Sequence, residues 1–219
     1  MSSIVKPPKE QPKWLEPFLA QCHTKTYDKN VEFIRQGQTA ESLYYLIEGS
    51  VSALMYDEEE RRELMLAYIN KGEFIGEMGL FIPQNMRSVI IRTRTKCKVA
   101  EITYQRLDRL LNDELQDVAK EFLYSIGEQL SMRLQVTSRK VGHLAFLDVT
   151  GRIAGTLLDL CKQPDAMTHP DGMQIRVTRQ ELGRIVGCSR EMAGRVMKNL
   201  EEQGLVSVKG KTIVVFGTR

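Results

Sequence analysis

The chain has 219 residues, 42% hydrophobic and 27% charged, with 31 basic and 28 acidic side chains for a net charge of +3. This composition excludes a disordered or fibrous chain, predicts one large or two small domains, and leaves any nucleic-acid affinity to a local basic patch. The opening MSSIVKPPKEQPKW is not signal-like, no run approaches the ~18 apolar residues of a membrane span, and the cysteines and histidines are too scattered for a disulfide framework or metal site; a reduced, cytoplasmic protein with no metal and no membrane contact is expected.

From about Thr26 to Tyr104 the sequence runs as short β-branched or aromatic stretches broken by glycine: VEFIR, SLYYLIEG, SVSALMY, ELMLAYI, SVIIRTRT and KVAEITY. Strands at such close spacing predict a sandwich or barrel. The charged stretch DEEERRE at 57–63 reads as a solvated hairpin tip.

Within this region, Gly72-Glu73-Phe74-Ile75-Gly76-Glu77-Met78-Gly79-Leu80-Phe81 precedes Arg87-Ser88. The glycines allow close backbone approach, and a short helical turn from Glu77 presents free N–H groups to an anion. Arg87 and Ser88 supply a charged fork and a hydroxyl for phosphate, whereas Glu77 suits a ribose hydroxyl. The competing reading is a Glu77–Arg87 ion pair of structural purpose only.

From about Gln105 to Phe146 one long helical pattern is expected. Leu123, Gly127, Leu130, Leu134, Thr137, Val141 and Leu144 recur at alternating steps of four and three, the heptad seam of a two-helix contact and hence of a homodimer. The alternative is a helix packed on its own barrel, which favours a wider stripe of period 3.6. Thr137 is a polar intruder in that seam and needs a hydrogen-bond partner.

Asp148 is placed to cap the helix TGRIAGTLLDLCK, and QPDAMTHPDG then turns the chain. Thr178 and Glu181 have capping-box spacing, Gly187-Cys188 turns the chain again, and Ser189 caps REMAGRVMKNLEEQ. Helix, glycine turn, helix is the helix-turn-helix pattern, with Gly183 as the small residue that lets the second helix approach. At about 100° per residue, Arg190, Glu191, Gly194, Arg195 and Lys198 share one arc, and Met192, Ala193, Val196, Met197 and Leu200 the opposite one. Between Arg176 and Lys198 stand six basic residues (Arg176, Arg179, Arg184, Arg190, Arg195, Lys198) against Glu181 and Glu191. This is the footprint of double-stranded DNA, and the central carboxylate argues for base reading, since phosphate repels it. The competing reading is a solvated helix with routine charges. The following LVSVKGKTIVVF folds as a hairpin wing whose Lys209 and Lys211 reach phosphate.

These motifs together resemble the cyclic-AMP receptor proteins of the CRP/FNR family of bacterial transcription regulators. The resemblance runs from about Cys22 to Arg219 and is carried by GEFIGEMGLF…RS, RLQVTSRKVG, LAFLDVTGRIA, QPDAMTHPDGMQI, TRQELGRIVGCSREMAGRV and GKTIVVFGTR. It implies an α+β fold: an N-terminal extension over 1–21, a cyclic-nucleotide-binding β jelly roll over 22–104, a long dimerisation helix over 105–146, and a C-terminal winged helix-turn-helix over 147–219. It further implies no enzyme but an allosteric regulator, an activator type, acting as a homodimer on palindromic sites. The implied cAMP contacts are Gly76, Glu77, Arg87, Ser88, Arg133 and Thr137, with Ser138 of the partner subunit; Thr137 then faces the adenine amine. Arg190, Glu191 and Arg195 are implied to read bases in TGTGA-type half-sites, with Arg179 and Ser189 on phosphate and Lys198 on the same exposed face. Thr168, His23 and Arg106 match surfaces that touch RNA polymerase, although Lys25 stands where a histidine is usual and the 57–63 tip is one residue longer than in enterobacterial members. EMGLFIP and IIRTRTKC are also similar to a branch that answers to cyclic di-GMP. In that branch the position of Ser88 is acidic and the QVTS stretch differs, so cAMP is favoured, with cyclic di-GMP response or ligand-free DNA binding as alternatives. A metal-dependent barrel enzyme is the other competing class, and it requires a His/Glu cluster that the barrel sequence lacks.

Overall fold

A computed structural model describes residues 11–59, 61–82 and 86–218. The chain divides into two compact units, one of residues 1–52 with 68–133 and the other of residues 53–67 with 134–219.

The first unit is built on two four-stranded sheets. One has strand order β1-β8-β3-β6, from β1 (His23–Tyr27), β3 (Ser42–Glu48), β6 (Phe74–Ile75) and β8 (Cys97–Thr103). The other, order β2-β7-β4-β5, is made by β2 (Glu32–Ile34), β4 (Ser50–Asp57), β5 (Arg62–Asn70) and β7 (Ile90–Thr93), and the distal halves of β4 and β5 belong to the second unit. The period-2 alternation of the strands sorts their side chains between two faces. Leu43 and Tyr45 of β3 and Ala100 and Ile102 of β8 face a core shared with helices, while Leu46 and Val99 are buried outside that cluster.

Residues 1–21 are expected to be an extension; residues 1–10 lie outside the described residues, and part of the remainder packs into the core. Leu15–Ala20 form helix α1, and Trp14 and Phe18 are buried in the barrel core. Trp14 lies 5.4 Å from the Phe74 ring and 5.2 Å from that of Phe122, and Phe18 is 5.2 Å from Phe122. Apolar residues at 14, 15, 18 and 19 carry the helical spacing; Pro17 hides it, but a proline in the first turn sacrifices no intrahelical bond. Burial of a phenylalanine this complete contributes about 1.5–3 kcal/mol.

The single helix expected over 105–146 is two helices. α2 (Tyr104–Asn112), capped by Thr103, ends at Asp113, whose φ −117° and ψ −99° are not helical, and α3 (Gln116–Phe146) begins after Leu115. Asn and Asp compete with the helix through local hydrogen bonds, as Asn112 Nδ2 does by donating to Asp108 O at 2.8 Å. The break lets Leu115 bury beside Leu110 and Phe122. Phe122 and Ile126 of α3 also join the barrel core, so the barrel-packed face and the heptad stripe coexist on one helix.

The second unit carries α4 (Val149–Leu160), α5 (Arg179–Val186), α6 (Arg190–Glu202) and a sheet of order β11-β12-β10-β9. Its strands are β9 (Met167–His169), β10 (Gly172–Arg176), β11 (Val206–Lys209) and β12 (Thr212–Phe216). Each helix begins on the residue the sequence nominates. Asp148 Oδ1 accepts from Gly151 N at 2.7 Å, Thr178 and Glu181 form the reciprocal capping box, and Ser189 Oγ accepts from Met192 N at 3.1 Å. Such caps contribute about 1 kcal/mol apiece. No helix among the described residues is long and apolar enough to cross a membrane.

Candidate ligand pocket and nucleic-acid interface

The candidate pocket is assembled where β6 ends. Gly76 turns the chain at φ +85°, and a one-turn 3-10 helix follows over Glu77–Leu80, where the sequence places a helical turn. Only glycine fits at this corner: a Cβ on Gly76 would collide with Arg87 Nη1 and lie 3.0 Å from Ser42 O. The left-handed backbone and the nearby guanidinium impose the same requirement.

Arg87 is 7% exposed. Its Nη2 donates to Ser42 O at 2.6 Å and its Nη1 to the Tyr104 hydroxyl at 3.2 Å, which in turn donates to Gly76 O at 2.7 Å. The guanidinium also lies 5.6 Å from the centroid of the Tyr44 ring. Burial pushes the Tyr104 and Tyr44 phenols up, with Glu101 adding to the effect on Tyr44, so both remain neutral hydrogen-bonding groups. Among the described residues no carboxylate forms an ion pair with Arg87. A buried guanidinium held only by neutral acceptors is electrostatically incomplete, a situation that an anion would relieve.

Glu77 is 3% exposed and pairs with Arg133 of α3, not with Arg87: its Oε1 accepts from Arg133 Nη1 at 2.5 Å. The reading of this segment as a Glu77–Arg87 ion pair is therefore overturned. Arg133 is anchored in turn, donating from Nη2 to Phe74 O at 2.8 Å and standing 3.4 Å from Glu73 Oε2. Gln129, one turn earlier, brackets the Phe74 backbone by accepting from its N–H at 2.7 Å and donating to its C=O at 3.1 Å. The other Glu77 oxygen, Oε2, is buried without a hydrogen-bond partner. A buried acceptor left open in this way calls for a donor such as a hydroxyl. Ser88 follows Arg87 and is exposed. The sequence reading missed Gln129, Tyr104 and Ser42, because a backbone carbonyl and a ring two strands away leave no local signal.

On the same helix α3, Thr137 and Ser138 are exposed and lie in the second unit. Leu134 is 69% and Val141 61% exposed, and Leu123 and Leu144 are also open, so the heptad stripe is uncovered in a single chain. Leu130 alone of its leucines packs partly on the barrel core.

In the second unit, α5 and α6 meet through a close turn. Gly187 ends α5 at φ +71°, and a Cβ on Gly183 would come within 2.6 Å of Cys188 O, so the approach expected of Gly183 is present. Arg179, Ser189, Arg190, Glu191, Arg195 and Lys198 are all exposed, while Ala193, Val196, Met197 and Leu200 are buried. The Arg179 side chain lies alongside Gly194, its Cδ 3.5 Å from where a Cβ would stand, so α6 carries a flat strip beneath it. Lys198 sits 3.6 Å from Glu202 in a solvent-facing pair of little energetic weight. Lys209 and Lys211 flank the left-handed Gly210 at the tip of the β11–β12 hairpin and are exposed.

Two expectations need correction here. Met192, assigned to the apolar arc of α6, is exposed. Arg184 is not a free cation of the basic patch: its Nη1 stands 3.1 Å from Glu63 Oε2. Glu63 is therefore more than part of a solvated tip. Nearby, Lys140 of α3 donates to Leu66 O at 2.6 Å, and burial pulls its ammonium below the usual lysine range. Thr168 is exposed on β9, His23 on β1 and Arg106 on α2, where Arg106 Nη2 donates to Gln21 Oε1 at 3.0 Å. The part of the tip at Glu60 lies outside the described residues.

Comparison with known proteins matches a cyclic nucleotide-binding domain to residues 24–114 and a Crp-like helix-turn-helix domain to residues 151–216. The chain is 56% identical over 205 residues to the cAMP-activated global transcriptional regulator CRP of Salmonella typhimurium, covering 94% of this chain and 95% of that one. It is 55% identical over 210 residues to the cAMP-activated global transcriptional regulator Vfr of Pseudomonas aeruginosa, again covering 94% and 95%. Among solved structures, the c-di-GMP responsive global regulator CLP of Xanthomonas campestris superposes with a TM-score of 0.88 at 54% identity, covering 93% of this chain and 98% of that one.

Proposed function

From the premise that this chain belongs to the CRP/FNR family of DNA-binding transcription regulators, we propose that its ligand is cAMP and that the ligand gates DNA binding by a homodimer. The observation that carries the ligand class is the buried Arg87 without a carboxylate, together with the unsatisfied Oε2 of Glu77. The cyclic phosphate takes the Arg87 fork together with Ser88. The ribose hydroxyl donates to Glu77, whose other oxygen is already held by Arg133. Thr137, with Ser138 of the partner subunit, supplies the remaining contacts to the base. Gly76 serves by having no side chain, which leaves room for Arg87.

The exposed apolar stripe on α3 supports pairing with a second copy, since leucine and valine left in water lose roughly 1.5–3 kcal/mol each relative to burial. On DNA, Arg190, Glu191 and Arg195 read base edges, Arg179 and Ser189 hold phosphate, and Lys198 and the wing lysines add charge. Two reading helices one DNA turn apart, about 34 Å, match a palindrome. Ligand gates binding to the extent that it prefers the DNA-competent state, so operator DNA tightens ligand binding by the same factor. Thr168, His23 and Arg106 are the proposed polymerase contacts.

A second reading, cyclic di-GMP as effector, is favoured by the likeness to the Xanthomonas regulator, at 54% identity against 56% and 55% for the cAMP-activated relatives. The deciding experiment is a gel shift at fixed salt with no ligand, cAMP, cGMP and cyclic di-GMP, paired with calorimetric titration of each nucleotide with and without operator. A shift that requires cAMP, and a cAMP affinity raised by operator, is the expected result. A shift that is equal without ligand, or one that answers only to cyclic di-GMP, overturns the cAMP assignment.

A further inference from the structure

Met192 is the one large apolar side chain of α6 that the described structure leaves well exposed, at 39%. It sits in the first turn of the helix, where its backbone N–H is pinned to Ser189 Oγ, so its Cα is as fixed as the cap itself. On the helix it stands at the edge of the exposed face, between buried Val196, four residues on and about 40° around the axis, and exposed Arg195, three residues on and about 60° the other way; Glu191 adjoins it in sequence. The buried arc is formed by Ala193, Val196, Met197 and Leu200, and Met192 lies at its margin. A thioether donates no hydrogen bond, so it has nothing to offer a phosphate. In the major groove the apolar feature open to such a group is the C5-methyl of thymine. The side chain is unbranched and polarisable, which suits it to follow a methyl group without a fixed socket.

Resting on the reading of α6 as the base-reading helix, we propose that Met192 is a specificity-determining residue that packs on a thymine methyl in the base pair adjoining the one contacted by Arg195. The N-terminal turn of a recognition helix is the part that meets base edges, which places this flank at the groove floor.

The test uses the full chain, in the ligand condition giving the tightest DNA shift, on a duplex carrying two half-sites in which each thymine is replaced in turn by deoxyuridine. Removing one buried methyl is worth about a fourfold loss of affinity. Wild-type protein is expected to lose about fourfold at one thymine per half-site. Met192→Ala is expected to bind thymine and deoxyuridine equally there, and Met192→Leu to keep most of the sensitivity. A wild-type profile flat at every thymine, or one unchanged by Met192→Ala, overturns the proposal. Arg195→Ala run on all base substitutions separates the two levels: if it changes preference at one base pair, the reading helix stands whatever Met192 does. If it changes none, the reading of α6 fails and the proposal with it.

Discussion

Replacing Arg87 with leucine tests the pocket most directly, because the side chain is buried and its present partners are all known. The guanidinium gives one hydrogen bond to Ser42 O at 2.6 Å and one to Tyr104 at 3.2 Å. Both acceptors are neutral, so the substitution removes an uncompensated buried cation at the same time as it orphans one carbonyl. Loss of the carbonyl's donor costs about 1–3 kcal/mol, and relief of cation desolvation offsets it, so the unliganded stability is expected to move little. Ligand binding is a different matter. Two charge-assisted hydrogen bonds to a phosphate contribute about 1.5–3 kcal/mol each, so cAMP affinity should fall by at least two orders of magnitude. Thermal shift reads both quantities together. Saturation of the native protein at a hundredfold excess over Kd adds about 2.7 kcal/mol, or roughly 5–10 °C in a chain of this size. Arg87→Leu is expected to melt near the unliganded native protein and to show no rise with cAMP, and its DNA shift should no longer answer to the nucleotide. A mutant that still melts higher with cAMP would refute the assignment of phosphate to Arg87. A collapse of the unliganded melting point would instead give Arg87 a structural role.

Phe18→Ala opens a hole in the ring cluster around Trp14 and Phe122 and is expected to cost about 3–5 kcal/mol in denaturant unfolding; a loss under about 1 kcal/mol would return residues 14–20 to the status of an appendage. Val141→Asp puts a charge on the exposed heptad stripe, and sedimentation should show a monomer, with an unchanged dimer placing the contact elsewhere. Glu191→Ala should relax preference at a single base pair by about 1–3 kcal/mol, and equal selectivity at all half-site positions removes Glu191 from the readout. A double-mutant cycle of Glu63→Gln and Arg184→Gln is expected to give a coupling of about 0.5–1 kcal/mol for a pair only partly buried, and additivity would reduce the contact to a surface approach.

Local signals were strongest where a few neighbouring residues decide the outcome. Caps at Asp148, Thr178 and Ser189, the glycine turn at 187, and the two-faced α6 depend on contacts within four residues, so their chemistry is written in consecutive letters. The heptad stripe is equally legible, because a period of 3.5 is a property of spacing alone. The Gly76–Glu77 corner and its distant Arg87 could be nominated by residue type, but not joined.

What tertiary structure alone decided was which partner each polar group takes. Glu77 faces two arginines in sequence, and only the fold shows that Arg133, fifty-six residues away, takes its carboxylate while Arg87 remains without one. Arg184 leaves the basic patch because Glu63 meets it, and Met192, at the margin of the arc formed by Ala193, Val196, Met197 and Leu200, is left exposed. The short α1, interrupted by proline, earns its place in the core through rings on β3, β6 and α3 that no local window contains. Propensity and periodicity are summed along the chain, whereas burial and charge pairing are settled across it, by whichever groups the packed backbone brings within a few ångströms.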